Sequence, residues 1–161
     1  MDNSINFEFD KLTLLEFDNI ALCFPQNNIL TIESLDQIDS VKTTEKSSGT
    51  LTYNLAELPV YTFNHDLALQ AHTTTGNRFC IGIKHSQENK SFAVMCDAVN
   101  QYQLEDKSLS TNIPALMHNP DSPIMALSSK EDKLLLLSTA ESMYNYINAL
   151  ETEHHEDIEN A

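Results

Sequence analysis

Hydrophobic residues recur along this chain in short alternating runs, each closed by a turn signal. That period-two rhythm predicts strands rather than helices. Leu12 to Phe17 form a first strand, Asp18-Asn19 a tight turn, and Ile20 to Phe24 the return. An Asp-Asn pair tolerates the positive φ that a two-residue hairpin demands. Pro25 stops the return, and Ile29, Leu30 and Ile32 begin a third apolar segment. Residues 34–48 are polar and read as a surface loop, least structured from Lys42 to Ser48. Residues 1–10 read as a loose or pairing arm around Phe7 and Phe9.

The densest alternation lies in two hairpins. The first runs from Gly49 to Phe63, with Leu51 and Tyr53 on one strand and Leu58 to Phe63 on the next. Pro59 cannot donate a ladder hydrogen bond, so it marks an edge or a strand start. The second pairs Arg78–Lys84 with Ser91–Val99, turning over His85 to Lys90. Phe79, Ile81 and Ile83 share one face; Phe92, Val94 and Cys96 alternate with Ala93 and Met95. Ile113 to Met117 reads as a short apolar patch, and Pro123–Leu127 with Leu134–Leu137 as a last hairpin. One helix follows. Ser138 and Glu141 fit a capping box, and Ala140, Met143, Tyr144, Ile147 and Leu150 keep helical spacing. Beyond Leu150, Glu151, Glu153, Glu156, Asp157 and Glu159 make an acidic tail that composition predicts to be disordered. About nine short strands and one helix indicate a mainly β fold, a barrel or pair of barrels.

Composition narrows the picture. The 161 residues suffice for one domain with a real core, and 41% are hydrophobic. No apolar run approaches the ~18 residues of a membrane span. Met1-Asp2-Asn3-Ser4-Ile5 lacks a basic stretch before an apolar one, so no signal peptide is expected. A net charge of −15 opposes phosphate backbones and anionic lipid, which argues against nucleic-acid or membrane partners. Cys23, Cys80 and Cys96 are odd in number, lack CxxC spacing and sit among apolar strand residues. They read as reduced, buried small hydrophobes of a cytoplasmic protein.

Little in the sequence carries catalytic chemistry. His154-His155-Glu156-Asp157 is the one histidine cluster, and adjacent residues on a tail rarely close a coordination shell. No metal site and no cofactor are expected. Asn64-His65-Asp66 could mimic part of a triad, but no Ser or Cys sits in a nucleophile elbow, so a turn is the simpler reading. His72, His85 and His118 fall in predicted loops and read as solvated. Asp97 is a carboxylate within an apolar strand, most simply a hydrogen-bonded strand end. P-loop, GxGxxG and HExxH motifs are absent, and the chain has three glycines.

The order of elements resembles the CheW-like family, the adaptor domain of bacterial chemotaxis arrays. Phe24-Pro25 stands where the family has Leu-Pro, and Ile29 to Ile32 where it has a Val-x-Glu-Val segment. Gly49 precedes Pro59 at the family's interval, Leu58-Pro59-Val60-Tyr61 fits its Pro-Val strand, and Cys96-Asp97-Ala98-Val99 fits Val-Asp-x-Val. The resemblance covers residues 7–150, leaving 151–161 as the tail. There are departures. Asn54-Leu55 replaces Arg-Gly, Thr62-Phe63-Asn64 replaces Asp-Leu-Arg, and Ala93 replaces a glycine.

The resemblance implies two packed small β-barrel-like subdomains closed by the C-terminal helix. It implies a non-enzymatic adaptor whose partners are the regulatory domain of a CheA-type histidine kinase and the cytoplasmic tip of a chemoreceptor. Ile29, Asn54, Leu55 and Val60 match positions near the receptor-type groove and are the expected partner-binding residues. In the family that first arginine is linked to receptor docking, so Asn54 points to an altered receptor, a pilus-motility pathway or another partner. A small-ligand sensor or enzyme on a β-barrel is the competing reading; a pocket containing Asp97 or His65 would favour it.

Overall fold

A computed structural model of the chain describes residues 11–39, 47–70, 76–103, 122–130 and 133–159. The expected N-terminal arm, the apolar patch at Ile113–Met117, His72 and His118 lie outside these residues. Among the described residues the strands form two sheets. The first joins β1 (Lys11–Phe17), β2 (Ile20–Pro25), β10 (Ala98–Gln103), β11 (Ala126–Lys130) and β12 (Lys133–Leu137) in the order β10-β1-β2-β12-β11. The second holds β3 (Ile29–Ser34), β4 (Ile38–Asp39), β5 (Gly49–Tyr53), β6 (Ala56–Phe63), β8 (Phe79–Ile83) and β9 (Phe92–Cys96), ordered β3-β8-β9-β6-β5-β4, with β7 (Leu69–Gln70) on β6. One of the two curls into a half-barrel. The strands beyond the nine expected include two-residue pieces, β4 and β7, too short for periodicity to reveal.

Both faces of the central strands are buried, so the core divides into three. On β1, Leu12 and Leu14 face one way into a cluster with Ala21, Cys23, Leu135 and Leu137. Leu15 and Phe17 face the other way, into the core shared by the two sheets. There they meet Leu22, Phe24, Ile81, Ile83, Phe92 and Val94. The reverse face of the second sheet encloses Leu51, Leu58, Val60, Cys80, Ala93 and Met95. The expected alternation in the second hairpin is therefore observed, each set of side chains filling its own core.

The helix α1 (Ala140–Glu159) lays Ala140, Met143 and Ile147 on the shared core. It runs past Leu150, where its apolar spacing ends. The cap differs from the expected one. Thr139, not Ser138, is the capping residue: its Oγ1 accepts the amide N–H of Ser142 at 3.2 Å. Ser138 is buried instead, its amide donating to Cys23 O at 2.9 Å. Glu141 turns outward and accepts from Ser86 Oγ at 2.9 Å.

Two hairpins turn without glycine. Asp18 and Asn19 have φ of 44° and 66°, the signature of a type I′ turn. Asn54 and Leu55 repeat it with φ of 46° and 67°. None of the chain's glycines has positive φ. Gly49 serves close approach instead, since a Cβ there would sit 2.6 Å from Ile38 Cγ2 on the neighbouring strand. A leucine in the left-handed region costs about 1–2 kcal/mol, and glycine adds about 0.5–1 kcal/mol of unfolded-chain entropy. Leu55→Gly should therefore raise stability by about 0.5–1 kcal/mol, read as a higher urea midpoint at unchanged slope.

Pro59 lies within β6, not on an outer strand. Counting back from the Tyr53↔Ala56 closing pair puts Thr50↔Pro59 at a position where neither residue bonds across the β5 ladder. On the other side, the parallel pairing with β9 begins only at Val60↔Ala93. The missing N–H thus falls where neither neighbour needs it.

Candidate functional site

One exposed apolar surface begins with a register shift. Ile29 pairs with Ile83, Thr31 with Gly82 and Ile32 with Ile81, so Leu30 is an extra residue on β3. In a regular strand Ile29 and Ile32, three apart, would face opposite ways. The bulge returns both to the face shared by Phe79, Ile81 and Ile83. Ile29 is half-buried against the shared core, Ile32 is 44% exposed, and Leu35 in the next turn is 39% exposed. Ile29 and Ile32 make an apolar strip along β3, at the end of the second sheet's strand order, and Leu35 lies just beyond it in the following turn. Leu30 itself turns inward with Ile38 and Tyr53.

The expected partner-binding residues fall in three settings. Ile29 lies at the start of the strip. Asn54 and Leu55 are exposed at the tip of the β5–β6 hairpin, Leu55 at 99%. The strand pairings place that tip beyond the same end of the sheet at which Ile29, Ile83 and Phe92 lie, with β8, β9 and β6 in between. Val60 is wholly buried in the inner core of the second sheet and offers no surface. Its match to a strand motif marked a core position. Ile32 was missed; strict alternation assigns it the face opposite Ile29, and a bulge leaves no trace in the hydrophobic pattern.

The titratable candidates are structurally occupied. His65 packs no nucleophile. Its amide N–H and Nδ1 both meet Asp18 Oδ2, at 2.7 and 2.9 Å, tying the β6–β7 turn to the tip of the first hairpin. Asn64 Oδ1 accepts from the amides of Asp66 and Ala68, which makes the segment a turn, as expected. The hydrogen bond to Asp18, then the charge of Asp66, raises the His65 pKa; the same bond lowers that of Asp18. The histidine's contribution is complete below its ordinary pKa and is lost as pH rises through the raised one. The aspartate's is complete above the ordinary carboxylate range and is lost as pH falls through the lowered value. Both groups are solvent-exposed, so the effect on stability is small. An NMR titration should show His65 above the ordinary histidine value, and Asp18→Asn should bring it down.

Asp97 is likewise a structural strand end. Its amide donates to Glu16 O at 2.7 Å, and its Oδ1 accepts from Asn77 Nδ2 at 2.9 Å. The three cysteines are buried, as their setting predicts; burial pushes the thiols of Cys23 and Cys80 up to about 12 and raises that of Cys96. His85 corrects the expectation of a solvated loop residue. It is 6% exposed, its Nδ1 accepts from the Gln87 amide at 3.0 Å, and its ring meets the Tyr144 ring edge-on at 5.1 Å.

A shallow cleft of about 160 Å³ lies between β6, β9 and α1, walled by Pro59, Tyr61, Lys90, Phe92, Tyr144 and Asn148. Lys90 Nζ stands 5.4 Å from the Tyr144 ring centroid. Neither His65 nor Asp97 lines it. Among the described residues no three His, Cys, Asp or Glu side chains converge as a metal cage would, and no helix is long and apolar enough to cross a membrane.

The architecture matches solved structures. One is the scaffolding protein TtCheW from Thermoanaerobacter tengcongensis, at a TM-score of 0.59 and 12% sequence identity, over 80% of this chain and 88% of that one. No protein-family model and no curated protein matches the sequence. The chain has a CheW-like fold, shared in backbone course while nearly all side chains differ.

Proposed function

We propose that this protein is a non-enzymatic scaffold of a bacterial chemotaxis-type pathway, working in the cytoplasm and coupling chemoreceptor tips to the regulatory domain of a CheA-type histidine kinase. The observation that carries the reading is the exposed apolar strip of Ile29 and Ile32 on β3, with exposed Leu35 just beyond it, on a fold like that of a scaffolding protein. Exposed apolar surface beside a shared core is what a docking partner covers. The Asn54-Leu55 tip stands where the resemblance leads one to expect Arg-Gly. Asparagine has neither the charge nor the bidentate fork of arginine, so receptor docking here depends on apolar contact. Val60 lies in the core on the reverse face of that sheet, so its part is in holding β6 in place.

Calorimetry with a purified CheA-type regulatory domain and a chemoreceptor tip fragment tests this. Ile32→Glu places a charge on the strip at a position that the fold already exposes. It should weaken binding by roughly 30-fold or more while leaving the circular dichroism spectrum and melting curve unchanged. Ile29→Glu should also abolish binding, but it touches the core and needs the same folding control. No binding by the wild-type chain to either partner, or unchanged affinity of folded Ile32→Glu, would rule the reading out.

A further inference from the structure

Two leucines of this chain hold left-handed backbone, Leu55 at φ 67° and Leu67 at φ 58°. The strain at Leu67 is offset within the fold: its side chain packs on the shared core, and Tyr146 Oη donates to its carbonyl at 2.6 Å. Leu55 has no such return. It is 99% exposed, at a turn position where glycine or asparagine would be unstrained. It thus combines an unfavourable backbone with a fully hydrated apolar side chain; a partner that covers the side chain removes the second cost and so offsets the first.

We propose that Leu55 is an apolar anchor that inserts into a socket on a partner protein, a socket lined by apolar groups and rimmed by cationic ones. The two-residue turn between paired strands presents the side chain rigidly, so little order is lost on docking. Charge selects the partner. From Ser47 to Asn77 the sequence has no Lys or Arg, Glu57 is exposed two residues from the anchor, and the chain carries −15 overall. An anionic membrane would repel this tip; a basic socket rim would attract it. The inference rests on the adaptor reading only in taking the occupant to be a protein, and goes beyond it in naming the chemistry of the socket.

The test places the photo-cross-linker p-benzoylphenylalanine at position 55 of the full chain in the native cell, with exposed Asn145 on α1 as the control position. Irradiation should give a protein adduct at 55 that is absent at 145, mapped by mass spectrometry to an apolar socket beside Lys or Arg. That protein is then purified and titrated. Leu55→Met should keep the affinity; Leu55→Asn, which suits the left-handed turn, should lose about tenfold to a hundredfold. An adduct no stronger than the control, an adduct to lipid, or full affinity in Leu55→Asn overturns the anchor. A partner that is neither kinase nor receptor keeps the anchor and removes the adaptor reading. No adduct at 55, with kinase-domain binding still lost in Ile32→Glu, does the reverse.

Discussion

Val60→Asp should leave no folded protein. Val60 is fully buried in the inner core of the second sheet, packed among the apolar side chains of Leu51, Leu58, Cys80, Ala93 and Met95. Burying an unpaired charge costs several kcal/mol, and removing valine's apolar contacts costs about 1 kcal/mol more. Domains of this kind are stable by about 5–15 kcal/mol in total, so most of the margin disappears. Circular dichroism in water should show loss of the strand signal, or a midpoint near zero urea. A well-folded Val60→Asp protein that merely lost a partner would place Val60 at the surface, against the packing described above.

Phe92→Ala should have the next largest effect. Phe92 is 1% exposed in the core where the two sheets and α1 meet, edge-on to Tyr61 at 6.3 Å between centroids. Large-to-small changes at such a site cost about 3–5 kcal/mol, roughly a 10 °C fall in melting temperature at this chain length. The form of the transition is as informative as its position. The shared core contains Leu15, Phe17, Leu22 and Phe24 of the first sheet together with Ile81, Ile83 and Val94 of the second. Neither sheet can release it alone, so calorimetry should show one cooperative peak moved downward. Two separated peaks would mean that the sheets unfold independently.

The strands were legible because their alternation is strong. Phe79, Ile81 and Ile83, and Phe92, Val94 and Cys96, keep strict period two along the face toward the shared core, with Cys80, Ala93 and Met95 on the reverse face, and the Asp18-Asn19 turn has the residues its geometry needs. What the pattern could not convey depends on contacts distant in sequence. Thr139 replaces Ser138 as cap because Ser138 is drawn into pairing with Cys23, and Asn28, far away along the chain, accepts the Ala140 amide through Oδ1 at 3.0 Å. His85 lies in the expected loop but is buried there, because Tyr144 packs against it. The proposed docking surface was half legible. Ile29 and the hairpin tip followed from motif order, Val60 followed the same order into the interior, and Ile32 was hidden by a shift that periodicity cannot express.

The bulge at Leu30 also sets how this surface can change. It separates two frames of reference on one short strand. The Ile29 end is fixed from outside β3: Asn28 O accepts the Lys84 amide at 2.7 Å while its side chain anchors the start of α1. The Ile32 end is fixed by the ladder with β8. A single-residue deletion at Leu30 would therefore leave both anchors standing and Ile32 still outward, because Ile29 and Ile32 would then be two apart on a regular strand; what is lost is the inward-facing Leu30. The bulge thus buffers this surface against the loss of one residue; only a second deletion would bring Glu33 opposite Ile81 and make the surface polar.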